Sequence, residues 1–257
     1  MKFGEYILRK LLKNSAFLLF LFATSATWAG QYRVSSGTGF FVSNSGHIVT
    51  AAHVVNGCNE VIIRGATKPS KAMVIGRDEE KDIAILKTNA SPLGVASLMN
   101  NNGYMDRGAL QVGDFVMVIG YPLERGKNGI YKVEKAKITG LKGPQNEPEW
   151  IQFSDSAQFG NSGGPLLDVS GNVTGVIVGK AKVVRTSYGE RDEIISQSDI
   201  AVTLPVLKEI LRRYGVDFNY SQSHAYYSPK EIERKARRYI VNIHCIGEVK
   251  KHYNSML

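Results

Sequence analysis

Cysteine is scarce in this chain of 257 residues, which carries only Cys58 and Cys245. Two cysteines exclude a small scaffold held by many disulfides, and their separation excludes a zinc site of the CxxC type. Long apolar runs are also missing. The run AFLLFLFA (Ala16 to Ala23) is too short to span a bilayer, which takes about 20 residues. A dominant charge sign is absent from the body of the chain: residues 30 to 225 hold 21 basic and 19 acidic side chains. No broad nucleic-acid footprint follows from that balance. There is no internal repeat and no low-complexity tract. With 43% hydrophobic and 21% charged residues, the composition is that of a globular protein with a core.

What is present begins with an export pattern. Lys2, Arg9, Lys10 and Lys13 precede the apolar run, and TSATWA follows it, ending at Ala29. A charged, then apolar, then small-residue order reads as a secretory signal over residues 1–29. The expected mature chain starts near Gly30, is periplasmic or secreted, and keeps no stable membrane anchor. Its charge is 28 basic against 22 acidic, and the excess lies in residues 226–257, with seven basic and three acidic. A solvated helix face accounts for that basic tail.

From Gly37 to Thr203 short apolar runs alternate with turn residues: GFFVS, HIVT, EVIIR, AMVIG, DIAILK, DFVMVIG, YKVEKAKITG, WIQF, NVTGVIVGK and DIAVT. Strands at that frequency predict an all-β barrel or sandwich. The period then changes. Leu204, Leu207, Ile210, Leu211 and Tyr214 share one helical face, and Gly215 supplies a stop. Ser228, Pro229 and Glu231 have the order of a second helix start, which leads into the strand-like YIVNIHCI.

Ser162 sits in FGNSGGP, a heptapeptide that could be a tight turn or the setting of a nucleophile. The pattern G-x-S-x-G also belongs to the α/β-hydrolase elbow, but that elbow runs directly into a helix. Here Gly163, Gly164 and Pro165 lead into LLDVSGNVTGVIV, which reads as a hairpin turning at Ser170 and Gly171. GTGFF is likewise a poor nucleotide loop, since it opens strands rather than a helix. Upstream, IVTAAHVV carries His53 and EEKDIAILK carries Asp82, with His47 and Asp78 nearby as competitors. A serine hydroxyl needs an adjacent base, and the base needs a carboxylate to fix its tautomer. The chain order His, Asp, Ser is that of an all-β serine protease.

TAAHV, DIAIL and GNSGGPL, together with GTGFFVSNSGHIVTAAHVV and LQVGDFVMVIGYP, resemble the trypsin-like serine endopeptidases. The bacterial HtrA/Deg branch is the nearer likeness, over residues 35 to about 214. The resemblance implies two antiparallel six-stranded β-barrels, followed here by a C-terminal helix and a short helix–strand tail. The expected organisation is a protease domain over 30–220 and a basic extension over 221–257 that docks on it. His53 would be the general base and acid, Asp82 its orienting partner and Ser162 the nucleophile. The N–H groups of Gly160 and Ser162 would form the oxyanion hole. No cofactor and no metal are implied, and the substrates would be exported or unfolded polypeptides. A catalytically silent, peptide-binding protease fold is the alternative.

Several features depart from that pattern. Only 42 residues follow Gly215, fewer than a PDZ module takes, so PDZ control is not expected. Phe159 stands where relatives carry proline or arginine. Ser156, Ala157 and Phe159 are the expected substrate-pocket residues, and Ser156 falls where enzymes that cut after lysine or arginine carry an acid. Asp155 is one position away. An uncharged floor predicts small or medium apolar residues before the cleaved bond. Asn161 is neutral where zymogen-activated relatives place an aspartate, so no newly cut N-terminus should be needed. For the cysteines a Cys58–Cys245 disulfide is expected, anchoring the tail to the first barrel. Two separate buried thiols are the alternative.

Overall fold

The computed structural model describes residues 32–100, 110–123, 130–154, 156–185, 193–221 and 225–248. The signal segment 1–29 and Asp155 lie outside the described residues. In chain order the strands are β1 (Tyr32–Phe41), β2 (His47–Thr50), β3 (Glu60–Gly65), β4 (Ser70–Asp78), β5 (Ile83–Lys87), β6 (Ser97–Met99) and β7 (Phe115–Gly120). They continue as β8 (Lys132–Gly140), β9 (Trp150–Phe153), β10 (Pro165–Leu167), β11 (Val173–Arg185), β12 (Glu193–Thr203), β13 (Asn219–Ser221) and β14 (Ile240–Glu248). Two helices, α1 (Leu204–Arg213) and α2 (Pro229–Ala236), lie among the described residues.

The strands close into two barrels. The first runs β1-β14-β3-β4-β5-β2, and the second runs β10-β7-β8-β9-β12-β11, closed by pairing of β10 with β11. Each is antiparallel throughout, while β6 and β13 join the second in parallel. Closure removes free edges, which is how all-β folds with many short strands avoid sticking to one another. The first core is built from Phe40, Phe41, Ile48, Ile63, Ile85 and Leu86, all fully buried. In β5 all four residues from Ile83 to Leu86 are buried, because α1 and the 3-10 turn Ala52–Val55 pack against it as well as the other strands. The second core centres on Val118, Ile138, Phe153, Leu166 and Ile177.

Both helices have the ends their sequences promise. In α1, Leu207, Ile210 and Leu211 are buried, Arg212 and Arg213 sit at the negative end of the dipole, and Gly215 adopts φ 63°. In α2 the Ser228 hydroxyl and the Glu231 carboxylate cap each other's backbone N–H groups.

The tail does more than dock. Residues 240–248 form a full strand within the first barrel, pairing with β1 from Tyr32↔Glu248 to Phe40↔Ile240 and with β3 from Val241↔Gly65 to Ile246↔Glu60. Tyr32–Glu248 is therefore one compact unit, and a boundary near 220 does not separate the tail from the protease body. The physical reason is the gap that β14 fills. Without it β1 and β3 would each expose a row of unpaired backbone groups. Cys58 and Cys245 are joined by a disulfide with Cα atoms 5.3 Å apart, which ties β14 to the segment following His53.

Two histidines make this fold sensitive to mild acid. Burial, and then Lys87, hold His47 below the usual imidazole range, while burial and Arg64 do the same to His244. The unfolded chain then binds protons first as pH falls. Stability that is complete above about pH 6.5 is lost progressively below it, before carboxylates near about pH 4 contribute. Urea midpoints should fall between roughly pH 7.5 and 5.5, and His244→Gln should shrink that fall. An undiminished fall in the variant would show that His244 plays no part.

Candidate active site

β2 ends at Thr50, and the chain turns through Ala52–Val55 with Ala52, Val54 and Val55 buried. His53 is the residue of that turn left facing out, with about half its side chain exposed. Asp82 precedes β5 at φ 52°, a left-handed conformation that aspartate tolerates better than most side chains. In that conformation its carboxylate holds His53 twice. Oδ2 lies 2.6 Å from the ring Nδ1, and Oδ1 accepts the backbone N–H of His53 at 2.8 Å. The Ala52 N–H also donates to the Asp82 backbone carbonyl at 3.1 Å. An ionised carboxylate only accepts, so Nδ1 must be the donor, and in the neutral ring Nε2 carries the lone pair.

Ser162 arrives from the second barrel, in the loop between β9 and β10. Thr38 of β1 is fully buried and joins the two sides: its hydroxyl donates to Gly160 O at 2.7 Å and accepts from Tyr121 N–H, while its N–H donates to Ser162 O at 2.9 Å. Gly163, at φ 82°, lies so close to Thr50, Thr38 and Ala51 that a Cβ there would overlap their atoms. The chain before His53 and the chain after Ser162 are thus in direct contact. Ser162 Oγ makes no hydrogen bond to the His53 ring among the described residues.

The backbone of this loop has an alternating pattern. The N–H groups of Asn161, Gly163 and Gly164 donate to Gln158 O, Ile177 O and Asn161 O at 3.0, 2.7 and 2.9 Å. Those of Gly160 and Ser162 meet no acceptor among the described residues. Gly160 is buried and holds φ 99°, tight against Tyr121 O and Leu123 N. A buried N–H without an acceptor is uncommon unless something else is meant to receive it.

The trypsin-like peptidase domain family matches residues 37–176, a stretch that contains His53, Asp82 and Ser162. The chain belongs to the trypsin-like peptidase family. The relative named "Uncharacterized protein y4bJ", from Sinorhizobium fredii, is 30% identical over 215 residues, which is 82% of this chain and 32% of that protein. A "Probable periplasmic serine endoprotease DegP-like" of Pseudomonas savastanoi pv. phaseolicola is 35% identical over 143 residues, 55% of this chain and 28% of its own length. The chain spans about a third or less of these curated relatives. Among solved structures, the Rv3671c protease in its inactive form is similar at TM-score 0.51 and 27% identity, covering 72% of this chain and 88% of that one. The fold is also like that of the HtrA-type protease AlgW with a tripeptide, at TM-score 0.53 and 24% identity, covering 69% and 55%.

In this trypsin-like peptidase the competitors have structural partners. His47 bonds Ser43 and Ser45, and Asp78 pairs with Arg213 and caps the Lys81 N–H. The pocket residues expected from the sequence lie in the loop before Ser162. Ser156 is half-buried, Ala157 is buried, and Phe159 is 88% exposed with its carbonyl accepting the Leu123 N–H. Sequence reading missed Asp199. It is wholly buried on β12, and its Oδ2 accepts the N–H groups of Ser156 and Ala157, each at 2.7 Å. The one available signal was an aspartate at the head of the short run DIAVT. Thr38 was missed too, because a threonine in a strand looks ordinary. A cavity of about 510 Å³ opens elsewhere, lined by Lys81, Glu149, Leu204 and Arg213 among others, and none of His53, Asp82 and Ser162 borders it.

Proposed function

We propose that the protein is an exported serine endopeptidase that hydrolyses peptide bonds of exported or unfolded polypeptides. The double hold of Asp82 on His53 carries this reading, since it leaves Nε2 as the base that a serine nucleophile needs. The Ser162 hydroxyl attacks the substrate carbonyl carbon as Nε2 takes its proton. The carbonyl oxygen, now negative, is received by the N–H groups of Gly160 and Ser162. The tetrahedral intermediate collapses when the imidazolium returns the proton to the leaving amine, and an acyl-enzyme ester remains. Water, activated by the same Nε2, then hydrolyses the ester. Asp82 stays ionised and stabilises the imidazolium at both stages. Acyl transfer through these groups calls for no cofactor. Export rests on residues 1–29 and on the periplasmic DegP-like relatives.

A fluorophosphonate probe separates this reading from a silent, peptide-binding protease fold. Folded protein should be labelled once, on Ser162, and His53→Ala should lose the labelling. Folded protein that resists the probe would favour the silent fold.

A further inference from the structure

From a cavity beside α2 we infer that the tail and the second barrel together form a site for a dianionic tetrahedral oxyanion, inorganic phosphate or a small phosphate monoester. The inference is independent of the endopeptidase reading, since none of His53, Asp82 and Ser162 borders this cavity. Its volume is about 260 Å³, below the roughly 300–1,000 Å³ of sites for drug-sized ligands, which suits a compact group. Three parts of the chain enclose it. The segment leading from β5 into β6 brings Gly94 and Ser97, the turn between β10 and β11 brings Ser170, and the tail brings Lys235 and Arg238. Among the described residues no carboxylate borders it.

The two cations are uncompensated. Arg237 faces Glu233, and Arg213 faces Asp78 and Glu209, but Lys235 and Arg238 pair with no carboxylate among the described residues. The Lys235 ammonium stands over the Tyr227 ring, 3.3 Å from its centroid. Nε and one Nη of Arg238 donate to Leu93 O at 3.1 and 2.8 Å, so the guanidinium is held in place with both N–H groups of its other Nη unspent. The Arg238 N–H donates to Lys235 O at 3.2 Å, a turn that keeps the two residues together. Two like charges bordering one cavity repel, and an anion between them replaces that repulsion by attraction. Neutral donors are at hand as well: the hydroxyls of Ser97 and Ser170 make no hydrogen bond among the described residues. Asp168 does not oppose an anion from inside the cavity, because it is spent within the hairpin turn, where Oδ1 accepts the N–H groups of Ser170 and Asn172, each at 2.8 Å. A tetrahedral oxyanion accepts from several directions at once, which fits donors arriving from three elements, and two cations match the nearly two charges of a phosphate monoester at neutral pH. A solvated helix face still describes Lys230 and Arg234, which are exposed and do not border the cavity.

Isothermal titration of the full chain with inorganic phosphate, glycerol phosphate and acetate, in about 150 mM sodium chloride to screen non-specific attraction, tests this. Phosphate or its ester should bind one site with Kd below about 1 mM, and acetate at least about 10-fold more weakly. The tighter of the two phosphates tells whether the free ion or an ester is the natural occupant. Lys235→Met, on an exposed side chain, should weaken binding about 10-fold, and Ser170→Glu should abolish it by putting a carboxylate into the cavity. Because the ligand binds only the folded chain, phosphate at about 100 times its Kd should raise Tm by roughly 5–10 °C in wild type and by much less in either variant. If Ser170→Glu fails to fold, the acetate comparison and Lys235→Met decide. A wild-type protein that takes up neither phosphate at about ten times the expected Kd would overturn the inference. So would acetate binding as tightly as phosphate, or a Lys235→Met variant with unchanged affinity.

Discussion

Replacing Ser162 by alanine is expected to reduce casein or peptide hydrolysis by a factor on the order of 10³ to 10⁶. The oxyanion donors and substrate binding can supply only a residual rate once the attacking oxygen is gone. The fold should be unaffected, because Ser162 contributes its backbone carbonyl to Thr38 and its side chain makes no hydrogen bond among the described residues. Comparing turnover by wild type and Ser162→Ala, purified identically, checks this. Equal rates would mean that the activity belongs to another residue or a contaminant. His53→Ala and Asp82→Asn add information through non-additivity: members of one catalytic unit should not cost much more together than the worst of them costs alone.

The second large effect is on stability. A chain ending at Tyr239 should fail to fold, because it lacks β14. Ile240, Val241 and Ile243 are completely buried, and full burial of such a side chain contributes about 1.5–3 kcal/mol. Three of them sum to roughly 5–9 kcal/mol, against a typical total of about 5–15 kcal/mol for a domain. The broken pairings on both β1 and β3 come on top of that. Cys58→Ser with Cys245→Ser is a milder lesion that should remove about 2–5 kcal/mol and leave a cooperative fold. Circular dichroism and urea titration distinguish the three forms. A truncated chain with a sharp transition near the wild-type midpoint would show that β14 is dispensable.

The motifs of the proposed triad were legible because their chemistry is local. TAAHV, DIAIL and GNSGGPL each carry a candidate residue within a few positions of the glycines or apolar residues that hold it, so three short segments in the right order are enough to nominate the set. Strands and helix starts were legible for the same reason: alternation, capping and stop signals act over one or two turns of chain. What the sequence hid was non-local. Nothing in YIVNIHCI says which strands it joins, since backbone donors and acceptors are alike at every residue and β14 finds β1 across 200 to 216 positions and β3 across 176 to 186. Asp199 was hidden in the same way, because its two N–H partners lie on another element 42 and 43 residues away. The left-handed backbone at Asp82 was also invisible, although it aims the carboxylate at both the ring and the backbone of His53.

The position of β14 in the chain has a consequence for the order of assembly during synthesis. β1 to β5 leave the ribosome first, yet their barrel cannot close until residues 240–248 have emerged, after the whole second barrel. Contacts of such long sequence separation form slowly, because the intervening chain must be organised before its ends are rewarded for meeting. The first strands of this fold to be made belong to the barrel that is closed last, and until β14 arrives the facing edges of β1 and β3 stay open.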